Sequence, residues 1–76
     1  MTGALAIMES FYCTAQRGGG PASRRYYTTK QAARDAATRA IRNGALWAEY
    51  GWGRHYGAGE FSVKTIFERK EKPRHV

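Results

Sequence analysis

The stretch from Thr28 to Gly44, TTKQAARDAATRAIRNG, fits one regular conformation, an amphipathic helix, and so fixes what the rest of the chain must supply. Ala33, Ala36, Ala37, Ala40 and Ile41 recur at the i, i+3, i+4, i+7, i+8 spacing that gathers them on one side of a 3.6-residue period. Lys30, Arg34, Thr38 and Arg42 follow at steps of four on another side, with Arg39 beside them. Thr28 and Gln31 have the Thr-x-x-Gln spacing of a capping box, and Thr29 is an equally good N-cap. Asp35 and Arg39 form an i, i+4 acid-to-base pair. Arg42 complements the dipole at the C-terminus, and Asn43-Gly44 is a stop. A face made mostly of alanine removes little area from water by itself, so this helix must rest on a sheet rich in larger side chains.

Strand signals surround it. From Gly3 to Gln16, Leu5, Ile7, Phe11 and Cys13 alternate with Ala6, Met8, Ser10 and Tyr12, which predicts a long first strand. Glu9 falls on the more apolar parity, which implies either a bulge or a strand whose two ends are covered differently. Arg17 to Ser23, RGGGPAS, breaks the pattern; it matches neither GxxxxGK[ST] nor GxGxxG and reads as a flexible hairpin connection rather than a phosphate cradle. Arg24 to Thr28 is a short strand, antiparallel to the first, whose Tyr26 and Tyr27 must point to opposite faces, one of them under the helix. Ala45 to Tyr50 reads as a further short strand, the alternative being an extension after the helix stop, and either way Leu46, Trp47 and Tyr50 contribute to the core. Gly51 to Gly59, GWGRHYGAG, reads as a loop because four glycines in nine residues weaken helix and strand alike. Glu60 to Arg69 alternates again as a strand, and the charged remainder makes a frayed basic tail, 69–76, after a domain of residues 1–68. The expected fold is α+β: a three- or four-stranded antiparallel sheet with one α-helix packed on one face.

A chain of 76 residues has room for one core and buries only about 60% of its unfolded surface, so its ten aromatic residues are needed largely for burial. One cysteine, Cys13, excludes an internal disulfide and fits a reducing, cytosolic location. The opening MTGALAIM lacks a basic region, and Glu9 interrupts its apolar run, so neither a signal peptide nor a membrane span is expected. Reactive side chains are few and scattered. His75 lies in the tail, Cys13 in a strand as a small buried hydrophobe, and His55 in the glycine-rich loop without a carboxylate to orient it. Two histidines without paired cysteines make no tetrahedral metal set. No enzyme, no metal and no cofactor is expected.

Binding is the remaining class. Thirteen Lys and Arg against six Asp and Glu give a net charge of +7 and a pI near 10.1, which favours a polyanion or an acidic protein surface as partner. The charge is not confined to one half, with net +3 over residues 1–38 and +4 over 39–76. Lys30, Arg34 and Arg42 lie along a helical stripe at steps of about 6 Å that can meet phosphates or acidic side chains in series. The competing reading of that stripe is a solvated face. Arg24, Arg25, Arg39 and Arg54 add charge, and Trp52, Arg54 and Tyr56 can stack on unpaired bases or fill a pocket on a partner, whereas packing on the sheet is the competing fate of Trp52. The candidate partner-binding set is therefore Arg24, Arg25, Lys30, Arg34, Arg39, Arg42, Trp52, Arg54 and Tyr56.

The general plan resembles double-stranded-RNA-binding modules, but those carry a second helix with a basic N-terminus that is missing after Arg69. With the capped helix Thr28 to Gly44 set between strands at Gly3 to Gln16 and Glu60 to Arg69, the chain also resembles the small anti-CRISPR inhibitors encoded by phages and mobile elements. That resemblance is architectural and spans the whole chain. It implies an inhibitor that acts in the host cytosol, binds a Cas effector complex and prevents it from engaging target DNA. A basic member would not mimic DNA but would grip acidic protein surface, crRNA backbone or DNA. The alternative is a small module that binds DNA or RNA directly.

Overall fold

A computed structural model describes residues 8–55 and 61–72 of the chain. In order they form β1 (Met8–Gln16), β2 (Ser23–Tyr27), α1 (Lys30–Arg42), β3 (Trp47–His55) and β4 (Phe61–Glu71). The four strands make one antiparallel sheet in the order β2-β1-β3-β4, with α1 on one face. The hairpin places Phe11 opposite Tyr27 and Ala15 opposite Ser23. After β2 the chain crosses the sheet as α1 and returns as β3 on the other side of β1, pairing Gln16 with Trp47 and Met8 with His55. β2 and β4 are thus the edges.

Period-two alternation sorts the side chains onto two faces. On the helix side Cys13, Ala15, Ala48 and Tyr50 meet Ala33, Ala36, Ala37 and Ala40, with Phe11, Tyr27 and Ile41 at the margin. Alanine leaves the helix backbone close to the sheet, and the aromatic rings fill the gaps at its rim. Phe67 of β4 closes one side, its ring 6.2 Å from Phe11 and 6.1 Å from Tyr50. Tyr26 and Tyr27 diverge as the alternation requires, Tyr27 under the helix and Tyr26 outside it.

The helix is shorter than its sequence signal, and its N-terminus is built differently. Thr29, not Thr28, is the N-cap, its hydroxyl accepting from the Ala32 N–H at 3.1 Å. Gln31 does not reach back to complete a capping box. Its amide donates to Asp35 at 2.9 Å, so the expected Asp35–Arg39 pair is also absent and Asp35 binds the neutral side chain one turn earlier. At the C-terminus the Ala45 N–H bonds to Ala40 O at 2.9 Å and the Gly44 N–H to Ile41 O at 3.1 Å, a Schellman closure that needs the positive φ of +99° at Gly44.

The strand boundaries differ more. The short strand expected over 45–50 begins at Trp47 and continues through His55, so Gly51 to His55 is strand, not loop. Gly51 and Gly53 alternate with Trp52 and Arg54, and at Gly51 the space on the face opposite the helix is already taken. A Cβ at Gly51 would collide with the Thr65 carbonyl and stand 3.0 Å from Cε1 of Tyr12. The register shifts between Tyr50 and Gly51 and again between Arg54 and His55 place the bulges in the β3–β4 ladder. β1 pairs without a shift, so the anomalous parity of Glu9 reflects its position near the end of the strand, where it binds Arg54 at 3.0 Å. Leu46, expected in the core, is exposed. β4 runs to Glu71 and the Lys72 N–H bonds to Leu46 O at 2.9 Å, so the tail boundary at residue 68 falls inside a strand. Residues 1–7, 56–60 and 73–76 lie outside the described residues, and with them Tyr56, the second half of the glycine-rich stretch and His75.

On the face away from the helix, Tyr12 is fully buried and donates its hydroxyl to Glu49 at 3.0 Å. Lys64 (3.4 Å) and Arg69 (3.8 Å) both reach the Glu49 carboxylate, and the Arg24 guanidinium lies over the Tyr12 ring. Burial, reinforced by the hydrogen bond to Glu49, holds the Tyr12 hydroxyl far above the ordinary tyrosine range. His55 is not a loop residue at all: it is buried in β3 and stacks on Tyr26 with ring centroids 4.8 Å apart.

Candidate functional site

The cations divide into two populations. Arg54 pairs with Glu9, Lys64 and Arg69 with Glu49, Arg69 also with Glu71, and Lys70 with Glu68. All of these are held on β3 or β4. Residues 17–42 carry seven basic side chains and one acid, Asp35, a net +6 of the chain's total of +7. Among the described residues, Arg17, Arg25, Lys30, Arg34, Arg39 and Arg42 make no ion pair. Charge balanced between halves of the sequence is therefore unbalanced in space.

Sheet order explains the segregation. β2 and α1 adjoin in sequence and lie on the same side of the molecule, whereas Glu9, Glu49, Glu68 and Glu71 sit at the far end of β1 or on the β3–β4 half. Because α1 rests mainly on β1 and β3, the helix side of the β2 edge is left uncovered. A groove of about 210 Å³ runs there, floored by Cys13, Ala15, Ala36 and Ala40 and walled by Arg17, Arg25, Arg39 and Asn43. Among the described residues no carboxylate lines it. Burial pushes the Cys13 thiol up, while Arg39 and, more weakly, Arg17 pull against that rise, so both guanidinium fields converge on this floor. A thiol held up in this way carries less of the reactive thiolate form.

The sequence-predicted residues do not all share this side. Arg39 and Arg25 line the groove, and Arg42 joins Arg39 on the adjoining surface of α1 with Asp35 and Thr38. Lys30 lies 4.8 Å over the Phe67 ring toward β4. Arg34 also leans that way: it assists the hydrogen bonds from Lys70 and Tyr50 that hold the Glu68 carboxyl below its ordinary range. Four residues advance a helix by about 40° beyond a full turn, so the stripe from Lys30 to Arg42 winds from the β4 flank to the crest instead of running straight. Arg24 and Arg25 are consecutive strand residues and part: Arg25 enters the groove, while Arg24 bonds Thr14 at 3.2 Å on the other face. Trp52 and Arg54 stand together at the far end of β3, the guanidinium 5.9 Å from the ring centroid, with Glu9 attached to it. Arg17 belongs to the convergent set and was readable only as a charge flanking the glycine-rich turn; its alignment with Arg25 follows from the hairpin register.

Among the described residues no group of three or more His, Cys, Asp and Glu is assembled that could hold a metal ion, and no helix is long and apolar enough to cross a membrane. Comparison of the chain with protein-family models, with curated proteins and with solved structures finds no match.

Proposed function

We propose that this chain is a non-enzymatic binding protein whose α1–β2 side takes the phosphate backbone of a nucleic acid, either free or presented by a ribonucleoprotein complex. The observation that carries this reading is the segregation of charge: Arg17, Arg25 and Arg39 line one groove with no carboxylate among its described lining residues, Arg42 adjoins them on a surface that also holds Asp35, and the cations of β3 and β4 pair with carboxylates. Guanidinium groups are the preferred partners of phosphate because their planar fork matches two oxygens at once. If these four arginines contact duplex phosphates, log K against log salt has a slope of about −3 to −4. Fluorescence anisotropy with duplex and single-stranded oligonucleotides from 20 to 300 mM salt tests it, and no binding at the lowest salt overturns it.

A second reading is favoured by a different observation. β4 is an 11-residue edge strand that exposes Val63, Ile66 and Phe67, a surface that suits protein rather than phosphate. It supports a protein-directed inhibitor of a nucleic-acid-handling complex, of the anti-CRISPR type, that keeps a Cas effector from target DNA. A chain that binds no oligonucleotide yet blocks target-DNA engagement by such an effector would establish it over the first.

A further inference from the structure

We infer that the groove between α1 and β2 is a site for a phosphomonoester, supplied by the end of a nucleic acid strand, distinct from the diffuse attraction of the surrounding basic surface. The inference rests on the backbone-binding reading for the source of the ligand and on the groove itself for its chemistry.

The groove's size selects first. About 210 Å³ lies below the ~300–1,000 Å³ of sites that enclose a whole cofactor or drug-sized ligand, and it suits one phosphate with part of the sugar that bears it. Charge selects next. Arg17 directly follows β1, Arg25 belongs to β2 and Arg39 to α1, so three arginines from separate parts of the fold line one volume, with Asn43 beside them. An internal phosphodiester carries one negative charge and needs no such concentration. A terminal phosphate carries close to two above pH ~6 and presents three oxygens, which three forks can share. The floor of Cys13, Ala15, Ala36 and Ala40 is small and uncharged, so a ligand settles against the helix without displacing a bulky side chain.

The pH dependence of the interaction separates the two kinds of binding. Among the described residues the groove lining holds Arg17, Arg25, Arg39, Cys13 and Tyr27 as its charged or titratable groups, and neither histidine nor carboxylate. Asp35 and Arg42 stand on the adjoining helix surface. A rise in affinity through pH ~6 therefore belongs to the second ionisation of the ester.

The experiment compares oligonucleotides with a 5′-phosphate, a 3′-phosphate or hydroxyl ends, using the intact chain, the double variant Arg25→Gln with Arg39→Gln, and Ser23→Trp. Ser23 is an exposed residue of the groove wall, and a tryptophan there fills the space without altering the charge. Thermal melting checks that each variant folds. The expected result is roughly tenfold tighter binding of a phosphorylated end, appearing between pH 5 and 7 and lost in both variants. Equal affinity for phosphorylated and hydroxyl ends overturns the end site and leaves backbone binding standing. If no oligonucleotide binds, the backbone reading falls. A titration with inorganic phosphate, followed by NMR at the arginine Nε–H groups, then decides the groove. Shifts confined to Arg17, Arg25 and Arg39 retain a phosphate site fed by a small free ligand, and their absence overturns it.

Discussion

At Gly51 a single hydrogen in place of a methyl group decides the path of two strands. The Thr65 carbonyl and the Tyr12 ring occupy the space a side chain would take, so Gly51→Ala must push β4 outward or tilt the buried Tyr12. A loss of about 1–3 kcal/mol follows, read as a fall in melting temperature of roughly 4–8 °C per kcal/mol, and Gly19→Ala in the open turn, where no heavy atom lies within 4 Å, serves as the control. Tyr12 makes the same neighbourhood sensitive to alkali. Its folded-state ionisation is raised above the unfolded value near pH 10, so its contribution is fully present below pH ~10 and drains away as pH climbs toward the folded value. Cys13 and Tyr50 are raised as well and act in the same direction. Denaturant melts at pH 7 and 10.5 should show the intact chain losing more stability than Tyr12→Phe, whose smaller loss comes from the other two groups. None of this was legible in the glycines alone: their frequency argued for a loop, and only their alternation with Trp52 and Arg54 carried the strand signal. Likewise, Glu49 reads as an exposed acid until the pairing with β1 sets it beneath Tyr12.

The elements themselves were mostly legible. The helix, the hairpin with its diverging tyrosines and the last strand follow from periodicity and from Gly and Pro punctuation. Competition among local partners escaped that reasoning. Two threonines satisfy the same capping rule, and the backbone selects Thr29 because its extended conformation directs the hydroxyl to the Ala32 N–H. Thr29→Ala should therefore cost about 1 kcal/mol, whereas Thr28→Ala stays within about 0.5 kcal/mol; urea melts of the two variants measure the difference. The charged stripe divides for a geometric reason already contained in the helix: its winding hands Lys30 and Arg34 to the β4 side and carries Arg42 to the crest, beside Arg39. Which flank meets which edge depends on the return of the chain as β3 beside β1, a long-range pairing that no local pattern encodes.

Across the whole molecule, stability and binding are assigned to different charges. Lys64 and Arg69 hold the buried carboxylate of Glu49, so replacing both with Gln should lower the melting temperature and leave nucleic-acid affinity little changed. Replacing Arg17, Arg25, Arg39 and Arg42 with Gln should do the reverse, abolishing affinity and flattening its salt slope while the fold becomes no less stable. Calorimetry and anisotropy on the two sets of variants check this pairing of outcomes. The seven basic side chains on β2, α1 and their connections also repel one another, and Asp35 is the one acid within that segment. That gives the unliganded protein an uneven thermodynamic texture. Amide protons of α1 and β2 should exchange with solvent sooner than those of β3, and added salt, which weakens an ordinary ion pair, should slow them. A bound polyanion would then act as a folding partner for this half of the domain, tightening by mass action a segment that self-repulsion keeps loose.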